Sequence, residues 1–246
     1  MEVEVAVAKL GRGGAVESGD SFEMVERPRG GLSFVVANGL RPRGRAKFVS
    51  QLVARKAISL LGEGVRDDAA ARATHDYLYA YGEGQATCTL NIASVIIAAR
   101  TIVLARNNPA PVIAVLPGGI EVLDGPSEAL GLLEETEPVM TELAVDDDVY
   151  VVVATGGFFA AGGRVGRPID ARREVADFFE IGGRGAERLA DALLDRAVAL
   201  DGGRPADDMT VLVVAARRRA HADPVRRLVV RAPLPGVETA GPAPEP

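Results

Sequence analysis

The sequence predicts an α+β domain in which two sheets pack together with helices outside. Two pairs of helical segments and about ten strand segments carry that prediction. Their order is strands, two helices, a long run of strands, two helices and one last strand. The chain has 246 residues, 48% hydrophobic and 25% charged, so one domain can bury a core without disulfides or structural metals.

The first segment, 2–10, alternates: Val3, Val5 and Val7 oppose Glu2, Glu4 and Ala6, as in a strand with one buried face. Glycines at 11–14 break it. Ser18-Gly19-Asp20-Ser21-Phe22 then forms a polar turn leading into a second strand. Residues 32–37 are apolar and β-branched, a buried strand closed by a turn at Asn38-Gly39. After the basic loop 41–45 the period becomes helical. Phe48, Val49, Leu52, Val53, Ala57, Leu60 and Leu61 share a face, and Gly62 stops the run. A second helix covers about 67–81, opened by Asp67-Asp68 and closed by Gly82.

Strands return at 87–96, 101–105, 112–115 and 120–123, punctuated by Pro109, Pro111 and Pro117-Gly118-Gly119. Segments 142–145 and 148–154 read as a further strand pair. Helices follow at about 171–179 and 186–200, the latter with Leu189, Ala190, Leu193, Leu194, Ala197 and Leu200 on one face. A strand at 209–215 closes the domain, which the sequence places at 1–216. Residues 217–246, rich in proline, read as a mobile tail in which 228–231 could dock as an edge strand.

Composition excludes several functions. One cysteine, Cys88, rules out an intrachain disulfide and a cysteine-based zinc site. Two histidines, His75 and His221, leave little for histidine-rich metal sites. A net charge of −6, no Trp and 4% aromatics argue against nucleic acid as a partner. The acidic start is unlike a signal peptide, and apolar runs are far too short to span a bilayer. The expectation is a cytoplasmic protein with no membrane partner.

Candidate chemistry gathers at strand ends: Asp20, Asn38-Gly39, Thr155-Gly156-Gly157 and Asp207-Asp208-Met209-Thr210. Carboxylates clustered at one rim of a β core suit hard cations such as Mg²⁺ or Mn²⁺. In this order the segments resemble the metal-dependent protein phosphatases (PPM, type 2C), in their bacterial SpoIIE/RsbU/RsbX-like branch. Gly19-Asp20-Ser21-Phe22 matches the family's opening motif, and Ala37-Asn38-Gly39-Leu40 its Ala-Asp-Gly-(Leu/Met) motif. Ala86-Thr87, Asn107-Asn108-Pro109, the 118–123 hairpin, Ala129-Leu130-Gly131, Thr155-Gly156-Gly157 and Asp207-Asp208-Met209-Thr210 follow in register. The resemblance spans about residues 3–216. It implies a four-layer αββα sandwich: two antiparallel sheets flanked by helical pairs. It also implies a two-metal centre that activates water against phosphoserine or phosphothreonine.

Two departures bear on that chemistry. The family's bridging acid is replaced by Asn38, and another ligand acid by Gly156. Asp20 and Asp207 remain, with the Gly39 carbonyl, for at most one weakly held ion of Mn²⁺ or Mg²⁺. The implied catalytic set is Asp20, Asn38 and Asp207. The following loop carries Arg41, Arg43, Arg45 and Lys47, and guanidinium forks such as those of Arg41 and Arg43 bind phosphate bidentately. Two functions follow: a serine/threonine phosphatase domain with weak or no activity in stress or partner-switching signalling, or a pseudophosphatase that binds a phosphorylated protein without hydrolysing it.

Each signal also has a plain reading. Asp20 and Asn38-Gly39 are common turn residues. The basic loop could simply be solvated, Asp208 could make structural hydrogen bonds, Cys88 could be a small buried hydrophobe, and 146–148 a solvated acidic turn.

Overall fold

The computed structural model describes residues 1–15, 17–218 and 225–232. Ten strands form two five-stranded antiparallel sheets. The first contains β1 (Glu2–Leu10), β10 (Met209–Arg217), β9 (Val149–Ala154), β6 (Val112–Leu116) and β7 (Gly119–Leu123), in that spatial order. The second contains β2 (Asp20–Glu26), β3 (Leu32–Arg41), β4 (Thr87–Ile96), β5 (Thr101–Asn107) and β8 (Val139–Ala144).

Helices cover both outer faces. On the second sheet lie α1 (Ala46–Gly62) and α2 (Asp67–Gly82), whose Val49, Val53, Ala57, Leu61, Ala70 and Leu78 pack on Val35, Leu90 and Ile92. On the first lie α3 (Gly156–Ala160), α4 (Ala171–Glu180) and α5 (Ala186–Leu200), with Leu189, Leu193, Phe158 and Val175 against Val152, Val211 and Val213. Between the sheets, Phe34, Val36, Ile102, Leu104, Val151, Val153, Leu212 and Val214 form a third core. The expected αββα layering is the observed one. Alternation explains it: each strand sends one set of side chains to the helices and the other to the facing sheet.

The α1–α2 layer is also tied by a buried polar network. The Arg27 Nη1 donates to Asp67 Oδ2 at 2.7 Å, its Nη2 donates to the Val65 carbonyl at 2.6 Å, and Ser94 donates to Asp67 Oδ1. Arg27 and Asp67 side chains are only 10% and 7% exposed, so each depends on the other for charge compensation.

Several expectations need correction. Asn38-Gly39 is not a turn: β3 runs through it to Arg41, with a bulge between Gly39 and Arg41. Gly39 is required by close approach, because a Cβ there would overlap the Ala46 backbone at the start of α1. The strands at 139–144 and 149–154 are not a pair: β8 joins β5, whereas β9 lies between β10 and β6 in the other sheet. Phe48 faces outward, with the Arg45 guanidinium 4.6 Å over its ring. The short α3 follows from no periodicity, since five residues are too few to show one. Residues 225–232 form no strand; Val230 is 91% exposed. The remainder of the proline-rich segment, 219–224 and 233–246, lies outside the described residues.

Candidate functional site

At one end of the sandwich the inward-facing stripes change from apolar to polar. Val3, Val5 and Val7 of β1 are followed on the same face by Lys9. Phe34 and Val36 of β3 lead to Asn38, and Met24 and Phe22 of β2 lead back to Asp20. On β10, Val214 and Leu212 lead to Thr210; on β9, Val151 and Val153 lead to Thr155 just past the strand. β4 and β5 contribute Asn91, Thr89 and Arg106 by the same parity. Register makes these ends coincide: Asp20 pairs with Asn38, Asn38 with Thr89, and Lys9 with Thr210.

Asp20 is the centre of this layer, and it is fully buried. The Asn38 amide donates to its Oδ1. The hydroxyls of Thr155 and Thr210 donate to its Oδ2 at 2.9 and 2.7 Å. Thr155 is itself oriented by the Thr210 N–H, which donates to its Oγ1 at 3.0 Å. Burial pushes the Asp20 carboxyl above its ordinary pKa, opposed by the three hydrogen bonds. The Asp20 carbonyl oxygen accepts from two ammonium groups, Lys9 and Lys47, each at 2.7 Å. Lys9 is pushed down to about 8, first by burial and then by the neighbouring Lys47 charge.

The segment carrying Asp20 is pinned to α1. Ser50 donates to the Gly19 carbonyl at 2.5 Å and lies 2.8 Å from the Ser21 hydroxyl. The Asp20 N–H donates to Ser18 Oγ at 3.2 Å. Ser50 lies in the first turns of α1, which also supply Lys47, so one helix start fixes both the segment carrying the acid and one of its cations.

The other sequence-chosen residues are dispersed. Gly39 sits beside Asn38 under the start of α1. Asp207 is exposed, and its Oδ1 accepts the Asp208 N–H at 2.9 Å; the donors to the Asp20 carboxylate come from Asn38, Thr155 and Thr210 instead. Asp208 Oδ1 accepts the Arg12 N–H at 3.0 Å, and its Oδ2 lies 2.8 Å from where a Cβ on Gly19 would stand. Arg41 is exposed at the end of β3. Arg43 belongs to a short 3₁₀ turn, and its side chain lies outside the described residues. Arg45 turns to Phe48 and Lys47 turns inward, so the basic run does not act as one cluster. Gly156 opens α3 with free space where a side chain would be.

Sequence reasoning missed Lys9 and the roles of Thr155 and Thr210, and it read Lys47 as part of a surface loop. For Lys9, Thr155 and Thr210 the signal was present: each shares strand parity with valines or leucines packed between the sheets and so had to face inward. Lys47, in the first turn of α1, carried no such signal. Thr89 Oγ1 and both amide atoms of Asn91 are buried in the same layer without a hydrogen bond. His75 is structural: its Nδ1 accepts the Gly131 N–H and its Nε2 faces the Glu134 carbonyl, both at 3.1 Å. Among the described residues, no three His, Cys, Asp or Glu side chains are grouped to hold a metal ion. No helix among them is long and apolar enough to cross a membrane.

Comparison with known proteins gives this arrangement a context. The model of the family described as stage II sporulation protein E (SpoIIE) matches residues 45–217, well over half of the chain. Stage II sporulation protein E of Priestia megaterium is 21% identical over 212 residues; the alignment covers 86% of this chain but only 36% of that relative's length. The structure of the PP2C phosphatase domain and a regulatory-domain fragment of SpoIIE from Bacillus subtilis superposes with a TM-score of 0.76, at 19% identity, over 88% of this chain and 64% of that one. The catalytic domain of the serine threonine protein phosphatase PstP, in complex with two manganese ions, superposes at 0.67 with 16% identity, covering 88% of this chain and 99% of that one. RsbX in complex with magnesium superposes at 0.63 with 14% identity, over 87% and 94%. The ordered motifs, the two-sheet sandwich and the family match agree: the chain belongs to the SpoIIE family and has the fold of the PP2C-type serine/threonine protein phosphatases.

Proposed function

We propose that this domain engages phosphoserine- or phosphothreonine-bearing proteins and hydrolyses them weakly or not at all, in phosphorylation-dependent stress or partner-switching signalling. The observation that supports this reading is the closed state of Asp20, whose two carboxylate oxygens already accept from Asn38, Thr155 and Thr210. A two-metal phosphatase centre needs several ionised oxygens held free for the cations, because each uncompensated ion costs several kcal/mol to desolvate. Here the acid's neighbour is a neutral amide, the place of another acid is Gly156, and Asp207 stands apart. These residues do not fit a two-metal group.

The complementary feature is positive charge. Arg41 is exposed beside the site and, with Arg43, is the candidate contact for the phosphate of an incoming segment. A second reading is a residual phosphatase using one Mn²⁺ or Mg²⁺ on Asp20, the Gly39 carbonyl and Asp207; membership of a phosphatase family favours it.

Titration with phosphoserine and phosphothreonine peptides, with and without Mn²⁺, tests both. The expected result is saturable binding that depends on the phosphate and on Arg41, with the peptide recovered intact. Metal-dependent release of phosphate that disappears in Asp20→Asn and Asp207→Ala would overturn the proposal and install the second reading.

A further inference from the structure

We infer that Lys9 and Lys47 act as a built-in pair of cations that stands in for divalent metal and seats the oxygens of a phosphomonoester. This deepens the reading above and rests on it. Both ammonium nitrogens lie 2.7 Å from one acceptor, the Asp20 carbonyl oxygen, so they are no more than twice that distance apart. Neither forms an ion pair among the described residues. The nearest buried acid, Asp20, has committed its carboxylate to three neutral donors.

Asp20 and Asp208 offset part of the positive charge at Lys9 without an ion-pair contact, while burial and the Lys47 charge outweigh them. Two adjacent ammonium groups repel each other, and an anion that bridges them relieves that repulsion. Donor capacity is available. An ammonium carries three N–H bonds. Lys9 spends one on the Asp20 carbonyl, and Lys47 spends one there and a long one, 3.4 Å, on Ser21 Oγ. The Lys9 side chain is exposed, so the spare donors reach the rim where a phosphorylated segment would arrive.

Residue usage points the same way. The chain has 28 basic residues, and only Lys9, Lys47 and Lys56 are lysines. Two of the three therefore meet at a single oxygen. An ammonium is a compact point charge with three rotatable donors, so two of them can converge on one oxygen, whereas a guanidinium presents a fixed planar fork. The same placement excludes a metal ion, because a divalent cation at the Asp20 carbonyl would face two positive charges at contact distance.

The three lysines provide the test. Wild-type full chain is acylated with a limiting amine reagent, and modification at each lysine is followed by mass spectrometry with inorganic phosphate, a phosphoserine peptide, the unphosphorylated peptide, or MnCl₂. At a phosphate concentration about four times its Kd, occupancy near 80% should slow modification of Lys9 and Lys47 about fivefold and leave Lys56 unchanged. The phosphopeptide should protect the same pair; the unphosphorylated peptide and millimolar MnCl₂ should not. A Lys9→Met/Lys47→Met chain with an unaltered circular dichroism spectrum should lose phosphate binding by calorimetry. Phosphopeptide binding without protection of Lys9 and Lys47 overturns this inference and leaves the proposed function standing. Mn²⁺ binding to the wild type that is lost in Asp20→Asn overturns the cation substitution itself.

Discussion

Asn38 and Asp20 face each other directly across the β2–β3 pair, and the amide of one donates to the carboxylate of the other. The pair is neutral on one side and acidic on the other, so it is stable without an added cation. Substituting Asn38→Asp replaces a hydrogen bond by two facing carboxylates. The expected cost is about 1–3 kcal/mol at neutral pH, read by urea denaturation in the absence of divalent metal.

Removing Asp20 should destabilise the fold as well. Asp20→Ala leaves the Thr155 and Thr210 hydroxyls and the Asn38 amide in a buried layer without their acceptor. A loss of about 2–4 kcal/mol is expected, since orphaned buried donors carry their full desolvation penalty. An acid held open for a metal ion would behave oppositely, and its removal in metal-free buffer would stabilise the chain. The sign of the change in the unfolding midpoint separates the two.

Neighbouring glycines should respond differently to the same substitution. Gly156→Asp enters open space at the start of α3 and is expected to change stability by less than about 0.5 kcal/mol. Gly157→Asp would drive its Cβ into the Asp208 carbonyl and should prevent soluble expression or lower the melting temperature by many degrees. Asn38→Asp with Gly156→Asp should still bind Mn²⁺ poorly while Lys9 and Lys47 remain; adding Lys9→Met and Lys47→Met should raise the affinity. Calorimetric titration of the two chains makes the comparison.

Asp67→Ala should cost about 3–5 kcal/mol, because it strands the Arg27 guanidinium between α2 and the sheet. The double change Arg27→Met/Asp67→Leu should recover most of that loss. Equilibrium denaturation of the three chains is the measurement.

Cys88 is fully buried, and burial pushes its thiol well above the ordinary range. Aromatic disulfide reagents should leave it unmodified in the native chain. Labelling should appear only at the rate of global opening, which gives a single-site clock for unfolding of the second sheet.

Most of the fold was legible from period and punctuation. The bounds of α1, α2 and α5 follow from helical stretches that end at or just before glycine. Asn38-Gly39 misled because turn propensity is local, whereas here pairing with β2 and β4 keeps the chain extended through it. The separation of β8 from β9 was not legible, because sequence adjacency says nothing about which sheet a strand joins. In the site, Asp20 and Asn38 stood out by motif. Lys9 did not, because a lysine at the end of a strand usually snorkels into solvent. Only its place after Val3, Val5 and Val7 marks it as inward-facing.

The pairing of Lys9 with Thr210 joins the first strand to the last. During synthesis, β1 emerges early and then waits for β10 before its partner exists. At about 5–20 residues per second, the roughly 200 intervening residues impose a delay of about 10–40 s. Through that interval Lys9 has no facing strand and Asp20 has no threonine donor from β10. The site is therefore the last part of the domain to close, and its completion reports that β10 has paired with β1. A nascent or truncated chain lacking β10 would hold every helix-forming segment of the domain and still lack Thr210 and the strand that positions Lys9.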